Sequence, residues 1–207
     1  MDVQLPTSPV PVFPIPGVFL FPHQVLPLHV FEPRYRAMVA DLLDGPGRLV
    51  VGSQLGGTNA AGDPALLPVA GLGEILRHER LPDGRYQILV LGLARVRIRE
   101  APSDHPYRLV HCQPFVEIEA PATEVGDLAQ KLRAAATARL KQPLPLPESA
   151  PAGLLADLLL QTLGAPQAVV ERAYVEPSVA RRAQLVLQAA ARTPPLGEAA
   201  TGDGLET

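Results

Sequence analysis

Residues 13–43 read FPIPGVFLFPHQVLPLHVFEPRYRAMVADLL, and the rest of the chain is organised around them. Pro14, Pro16, Pro22 and Pro27 each remove a backbone donor and fix φ. That excludes a single helix or an unbroken central strand and predicts short extended pieces joined by stiff corners. Val25, Leu26, Leu28, Val30 and Phe31 make a strand-like run. Glu32-Pro33 marks a switch, because proline is accepted at the first helical position and an acid suits the positive end of a helix. Tyr35, Met38, Val39, Leu42 and Leu43 then recur at i, i+3, i+4, i+7 and i+8, one apolar helix face. Asp44-Gly45-Pro46-Gly47 stops that helix. Phe31, Tyr35, Met38 and Leu42 are expected to form its seam with the sheet.

Working outward, residues 1–9 are polar and proline-containing and are expected to be flexible. Residues 48–52 predict a short buried strand. Residues 53–68, SQLGGTNAAGDPALLP, predict a long Gly-rich loop, free to move over neighbouring surface. Residues 69–80 and 85–91 predict the two arms of a hairpin around Pro82-Asp83-Gly84. Gly92 breaks or bulges the second arm. Beyond it Ala94, Val96 and Ile98 alternate with Arg95, Arg97 and Arg99, so one strand face is buried and the arginine face is wet. Residues 106–118 alternate again.

After residue 120 the composition turns to Ala, Leu, Gln and Arg at helical spacing. Thr123 is the expected cap of a first helix, Pro151 opens a second that Gly164 closes, and Pro166 and Pro177 open two more. The expected organisation is therefore a flexible start (1–9), a β-rich lobe with one helix (10–120), a helical lobe (121–192) and a disordered Pro-, Gly- and acid-rich tail (193–207).

The bulk numbers narrow the function classes. Hydrophobic residues make up 47% of the 207, enough for a real core. Eighteen Lys and Arg against 21 Asp and Glu give a net charge of −3, with no global field directed at nucleic acid or a membrane. Cys112 is the one cysteine, so no internal disulfide forms and a reducing, cytoplasmic setting is expected. No apolar run reaches the roughly 20 residues a bilayer span needs, and the N-terminus lacks the basic and apolar regions of a secretory signal.

The stretch Pro27-Leu28-His29-Val30-Phe31-Glu32-Pro33-Arg34-Tyr35 resembles the opening signature of the Lon substrate-binding (Lon N-terminal) domain family. A second match lies in LPDGRYQILVLGLARVRI, residues 81–98, with the Gly92-Leu93-Ala94-Arg95 step. The resemblance spans roughly residues 10–192. It implies an α+β fold, a PUA-like pseudobarrel followed by a small helical bundle. It also implies a role in recognising protein segments, without the ATPase and peptidase of Lon proteases. Pro27, Leu28, Phe31, Glu32, Pro33, Arg34, Tyr35, Gly92 and Arg95 then count as structural motif positions.

The residues agree that catalysis is not expected. A phosphate-cradling loop needs glycine leading into Lys-Ser/Thr, and no glycine precedes Lys131 or Lys141, the only lysines. A serine–lysine dyad needs a lysine held near a serine, and both lysines are far in sequence from the serines. His111 and Cys112 are adjacent and would point to opposite strand faces, so no metal or other cofactor is expected. Arg95, Arg97 and Arg99, with Arg80, Arg85 and Arg108 on neighbouring strands, suit an RNA-binding face. Aromatics are only 4%, too few for stacking platforms, so RNA or nucleotide binding stays the alternative. The expected function is a non-catalytic binder of unfolded or extended apolar segments, acting as an adaptor or regulator beside a protease or chaperone. Phe19, Phe21 and Leu26 are the expected groove, with Arg34 at its rim.

Overall fold

The computed structural model describes residues 3–59, 62–142 and 144–193, and the chain divides into two compact units, Met1–Phe115 and Val116–Thr207. The first unit runs β1 (Val10–Pro16), β2 (Val25–Val30), α1 (Pro33–Leu43), β3 (Arg48–Thr58), β4 (Pro64–Leu66), β5 (Val69–Arg80), β6 (Tyr86–Ala101) and β7 (Leu109–Pro114).

The β5–β6 hairpin is its backbone, paired from Val69↔Arg97 to Arg80↔Tyr86 with irregularities between Leu72 and Gly73 and between Ile75 and Arg77. Leu81 N–H donates to Arg85 O and Gly84 N–H to Leu81 O, both at 2.8 Å, and Gly84 supplies the positive φ (81°) this turn requires. β6 carries two neighbours in succession on its other side. Its first half pairs with β2, Val25↔Leu91 to Val30↔Tyr86, and its second half with β7, Val96↔Pro114 to Ala101↔Leu109. β5 pairs with β3, β3 runs parallel to β1, and β1 meets β7 at Val10↔Val110. The path β1–β7–β6–β5–β3–β1 therefore closes into a pseudobarrel, with β2 and β4 added at its borders.

The prolines of β1 fit because of direction. Val12 N–H donates to Arg108 O at 3.0 Å, toward the β7 side. Strand alternation turns Pro14 and Pro16 to the same side, beyond the last β1–β7 pair, so their missing donors interrupt no ladder bond.

Two clusters fill the unit. One gathers Val30, Tyr35, Met38, Leu49, Ile88 and Val90 with others between α1 and the sheet; the second, with Val12, Val50, Leu72, Val96 and Val110, occupies the barrel. Tyr35, Met38 and Leu42 are buried as their spacing predicts, but Phe31 is 62% exposed and forms no part of the seam. Strand parity explains this: Leu26, Leu28 and Val30 turn inward, so Phe31, one residue on, turns out.

The described residues of 53–68 do not form a long loop. β3 continues to Thr58 and pairs with β4 at Gln54↔Leu66 and Thr58↔Pro64. Between those two pairs the register is irregular, and the glycines and polar residues there leave no apolar alternation in the sequence. At the chain's start, Val3 and Leu5 pack on the barrel cluster, and Arg48 Nη1 donates to Gln4 O at 2.7 Å, so residues 3–5 are docked rather than loose. Arg95 is also buried, with its guanidinium over the Phe115 ring (5.2 Å), while Arg97 and Arg99 stay exposed. The wet face expected for all three therefore begins at Arg97.

The second unit holds α2 (Ala122–Leu140), α3 (Ala152–Leu163), α4 (Gln167–Tyr174) and α5 (Val179–Arg192). Pro121 occupies the N-cap position of α2, which puts Thr123 inside the first turn rather than at the cap. Gly164 ends α3 at φ 59°, and the Ser178 hydroxyl accepts from Arg181 N at 3.3 Å to cap α5. Arg139 satisfies the end of α3, donating to the carbonyls of Thr162 and Leu163 at 2.7 Å each. Ile118 N–H and O bond Pro177 O and Val179 N–H, so residues 116–120 belong with the helices. The fold is the expected α+β class. The tail expected at 193–207 lies outside the described residues from 194 onward.

Candidate functional site

Phe19, Phe21, Leu26 and Arg34 do not come together. Residues 19–21 cross directly over the backbones of β5 and β6, where Gly71, Gly73 and Gly92 carry no side chain. An added Cβ at Gly71 would meet Leu20 O, and one at Gly92 would meet Phe21 O. This close approach buries Phe19 and Phe21 at 9% and 3% exposure, which closes them to a peptide. Leu26 packs inward on the α1 cluster. Arg34 is exposed in the first turn of α1, paired with Glu32 at 2.9 Å and stacked 4.6 Å over the Tyr35 ring. Glu32 makes no side-chain cap; its backbone carbonyl accepts from Tyr35 and Arg36 instead.

The open apolar surface lies on the other side of β2. In the described ladder β2 pairs only with β6. Gly92 N–H donates to Gln24 O at 2.8 Å, and alternation from that bond turns the polar backbone groups of Leu26, Leu28 and Val30 toward β6. Those of Val25, Pro27 and His29 face the unpaired edge. Proline at 27 is tolerated because its missing donor points outward. The same residues present their side chains on the outer face: Val25 is 46% exposed, and Pro27 and His29 are exposed. Across the sheet the registers Pro27↔Leu89↔Arg77 and His29↔Gln87↔Glu79 line a cavity of about 370 Å³, and Phe31, edge-on to His29 at 6.3 Å, stands at its end. Arg77 and Glu79 set one charge of each sign at the far rim.

A second, more polar cavity of about 630 Å³ opens beside the start of α1, lined by Arg34, Tyr35, Asp63, Glu100, Tyr107 and Arg108 among others. Tyr107 donates to Asp41 Oδ2 at 2.6 Å, and His105 stacks on Tyr107 with its Nδ1 3.6 Å from the same oxygen. Burial first, and the Asp41 bond and charge after it, hold the Tyr107 hydroxyl well above the ordinary tyrosine pKa. Arg108 is tied to Glu100 and to Pro64 O. No group of three or more His, Cys, Asp or Glu able to hold a metal ion occurs among the described residues, and no described helix is long and apolar enough to cross a membrane.

The first unit is a pseudobarrel in which one side of β2 is unpaired among the described residues, and four helices follow it in the chain. Residues 9–190 match the family described as the ATP-dependent protease La (LON) substrate-binding domain, and the chain belongs to that family. It is 30% identical over 108 residues to the Lon protease of Desulfovibrio desulfuricans, a match covering 52% of this chain and 12% of that protein. It is 28% identical over 125 residues to Lon protease 3 of Sorangium cellulosum, covering 60% of this chain and 15% of that one. The chain thus spans only a small part of these relatives. Among solved structures, the N-terminal domain of Mycobacterium avium complex Lon protease superposes with a TM-score of 0.69 at 18% identity, covering 89% of this chain and 98% of that one. A Lon N-terminal domain protein from Xanthomonas campestris gives 0.63 at 22% identity, covering 87% and 98%.

Several motif positions now have physical roles. Pro27 faces the open edge, Leu28 packs inward, Pro33 starts α1, Tyr35 anchors it against Phe13 at 4.4 Å, and Gly92 admits Phe21 O. The exposure of Phe31 follows from strand parity counted one residue on from Val30.

Proposed function

We propose that the chain is a non-catalytic recognition module that binds extended apolar segments of other polypeptides by strand addition at the free edge of β2. The carrying observation is the coincidence of unpaired backbone groups at Val25, Pro27 and His29 with the exposed side chains of Val25, Pro27 and Phe31. An added strand bonds that edge, and its alternate side chains lie over Pro27 and Leu89. Pro27 offers an acceptor and no donor, so the new ladder is interrupted at its centre and binding stays weak. Micromolar affinity, about −8 kcal/mol, is the appropriate scale. Family membership supports this reading. On this reading the chain works beside a protease or chaperone as an adaptor or regulator, with no reaction of its own.

The test is a screen of apolar decapeptides followed by titration at low and high salt, against the native chain, Val25→Ser and Phe31→Ser. Both substitutions are at exposed positions, so the fold is retained. Affinity that persists in high salt and falls in both variants supports edge capture. Binding confined to RNA and lost with salt identifies the arginine face of β6 instead.

A further inference from the structure

At the tip of the β5–β6 hairpin another cavity, of about 300 Å³, opens between the turn and one flank of α1. It shares no lining residue with the cavity at the β2 edge or with the one beside Tyr107. The sequence makes the space. Pro33, Arg36, Ala37 and Ala40 recur at i, i+3, i+4 and i+7 and form one flank of α1, next to the buried flank of Tyr35, Met38, Val39 and Leu42. Ala37 and Ala40 are too short to fill the gap, and Gly84 across from them has no side chain. Arg80 and Tyr86, the last pair of the hairpin, complete the wall.

Two guanidinium groups line this cavity, and no carboxylate does. The acids nearby are engaged or turned away. Glu32 pairs with Arg34 at 2.9 Å, and Asp83 accepts from Arg85 Nε at 2.7 Å and from Arg85 N–H at 3.1 Å. The Arg85 N–H bond first, and the Arg85 side chain after it, hold the Asp83 carboxyl below its usual range; the Arg36 charge is the smallest contribution. Glu79, next to Arg80, lines the cavity at the β2 edge instead, and Asp44, one turn past Ala40, lines neither. With Glu32 and Asp83 balanced by Arg34 and Arg85, the site keeps two positive charges.

The same two groups are held in place by uncharged contacts. The Arg36 guanidinium lies against Gly84, where a side chain on that residue would begin. The turn needs glycine for its positive φ, and the guanidinium uses the missing side chain as well. The Arg80 guanidinium lies over the Tyr86 ring, 5.9 Å from its centroid. Among the described residues neither guanidinium makes an ion pair or a hydrogen bond. Backbone and ring therefore position both groups without neutralising them, which lowers the ordering cost a ligand meets. A planar guanidinium matches the paired oxygens of a carboxylate or phosphate, and Pro33, Ala37 and Ala40 add an apolar wall beside them.

We propose that this cavity binds an oxyanionic group between Arg36 and Arg80, with the organic part of the ligand against the α1 flank. Two sources carry that chemistry, a phosphate group and the C-terminal carboxylate of a polypeptide.

The experiment is an NMR titration of the whole chain at constant ionic strength, balanced with sodium chloride and read at arginine Nε–H and backbone amide signals. Its probes are inorganic phosphate, Nα-acetyl-leucine with its free carboxylate, and the methylamide of that compound. Saturable shifts are expected at the Nε–H groups of Arg36 and Arg80 and at the amides of Gly84 and Tyr86, with an oxyanion and not with the methylamide. Arg36→Met and Arg80→Met are each expected to weaken binding about tenfold, the scale of a charge-assisted contact, and Arg36→Lys about threefold. Arg80 is exposed and Arg36 half-buried, so signals away from the cavity should stay in place in these variants. Phosphate binding alone assigns the site to phosphate groups, acetyl-leucine alone assigns it to polypeptide ends, and binding of both makes either source competent. Equal shifts with the methylamide, shifts spread without saturation over Arg34, Arg97 and Arg99, or unchanged affinity in both Arg→Met variants would overturn the proposal. None of these results bears on the β2 edge, which Val25→Ser and Phe31→Ser read separately.

Discussion

The carbonyl oxygen of Phe21 occupies the place where a side chain on Gly92 would begin. Backbone therefore lies on backbone where the proline-rich stretch crosses β6, and His23 N–H, donating to Gly92 O at 2.8 Å, pins the contact. Gly92→Ala should force the two strands apart and cost about 3 kcal/mol, the upper end for overpacking. Urea denaturation checks this. A loss under about 1 kcal/mol would mean that the crossing segment yields easily.

Arg182 is fully buried in α5, 3.0 Å from Glu117 and 3.2 Å from Asp157, with its Nη1 also reaching Glu176 O at 3.4 Å. Removing the guanidinium takes a cation from beside the Asp157 carboxylate, which is 5% exposed. Arg182→Met is expected to destabilise the chain by about 3–5 kcal/mol, and adding Asp157→Leu should recover more than half, because an apolar pair tolerates burial better than a lone charge. Denaturation of the single and double variants reads the difference. A double variant no better than the single would show that the aspartate is not the source of the loss.

Burial raises the Cys112 thiol from 9.0 to about 11. The thiolate is the reactive form, so at pH 8 the two-unit rise cuts its population about a hundredfold. Reaction with an aromatic disulfide reagent should be slower than that of a cysteine peptide by at least about this factor. A rate within threefold of the peptide's would place the thiol in water.

The sequence shows the strands and the helices well where apolar period or punctuation carries the signal. The β5–β6 hairpin, α1, and the starts of α3, α4 and α5 all follow from alternation, proline and glycine. It shows β3 poorly beyond Gly52, because Gly56, Gly57 and the polar residues around them leave no apolar alternation. Phe19 and Phe21 were legible as apolar but not as buried, since their burial depends on Gly71, Gly73 and Gly92 arriving beneath them from distant strands. Phe31 and the β2 edge depended on strand parity, which residue type alone does not reveal. The Arg182 cluster joins residues as far as 65 apart in sequence and leaves no local signature.

Edge capture at β2 makes one residue-by-residue demand on the backbone. The N–H groups of Leu26, Leu28 and Val30 face β6, while those of Val25 and His29 face the open edge. Amide hydrogen exchange, read by NMR with and without a saturating apolar peptide, separates the two sets. Val25 and His29 should exchange quickly in the free protein and slow by at least about tenfold when peptide is bound, with Leu26 and Leu28 already slow in both states. Peptide that binds while Val25 and His29 go on exchanging at their free rates would contradict strand addition at this edge.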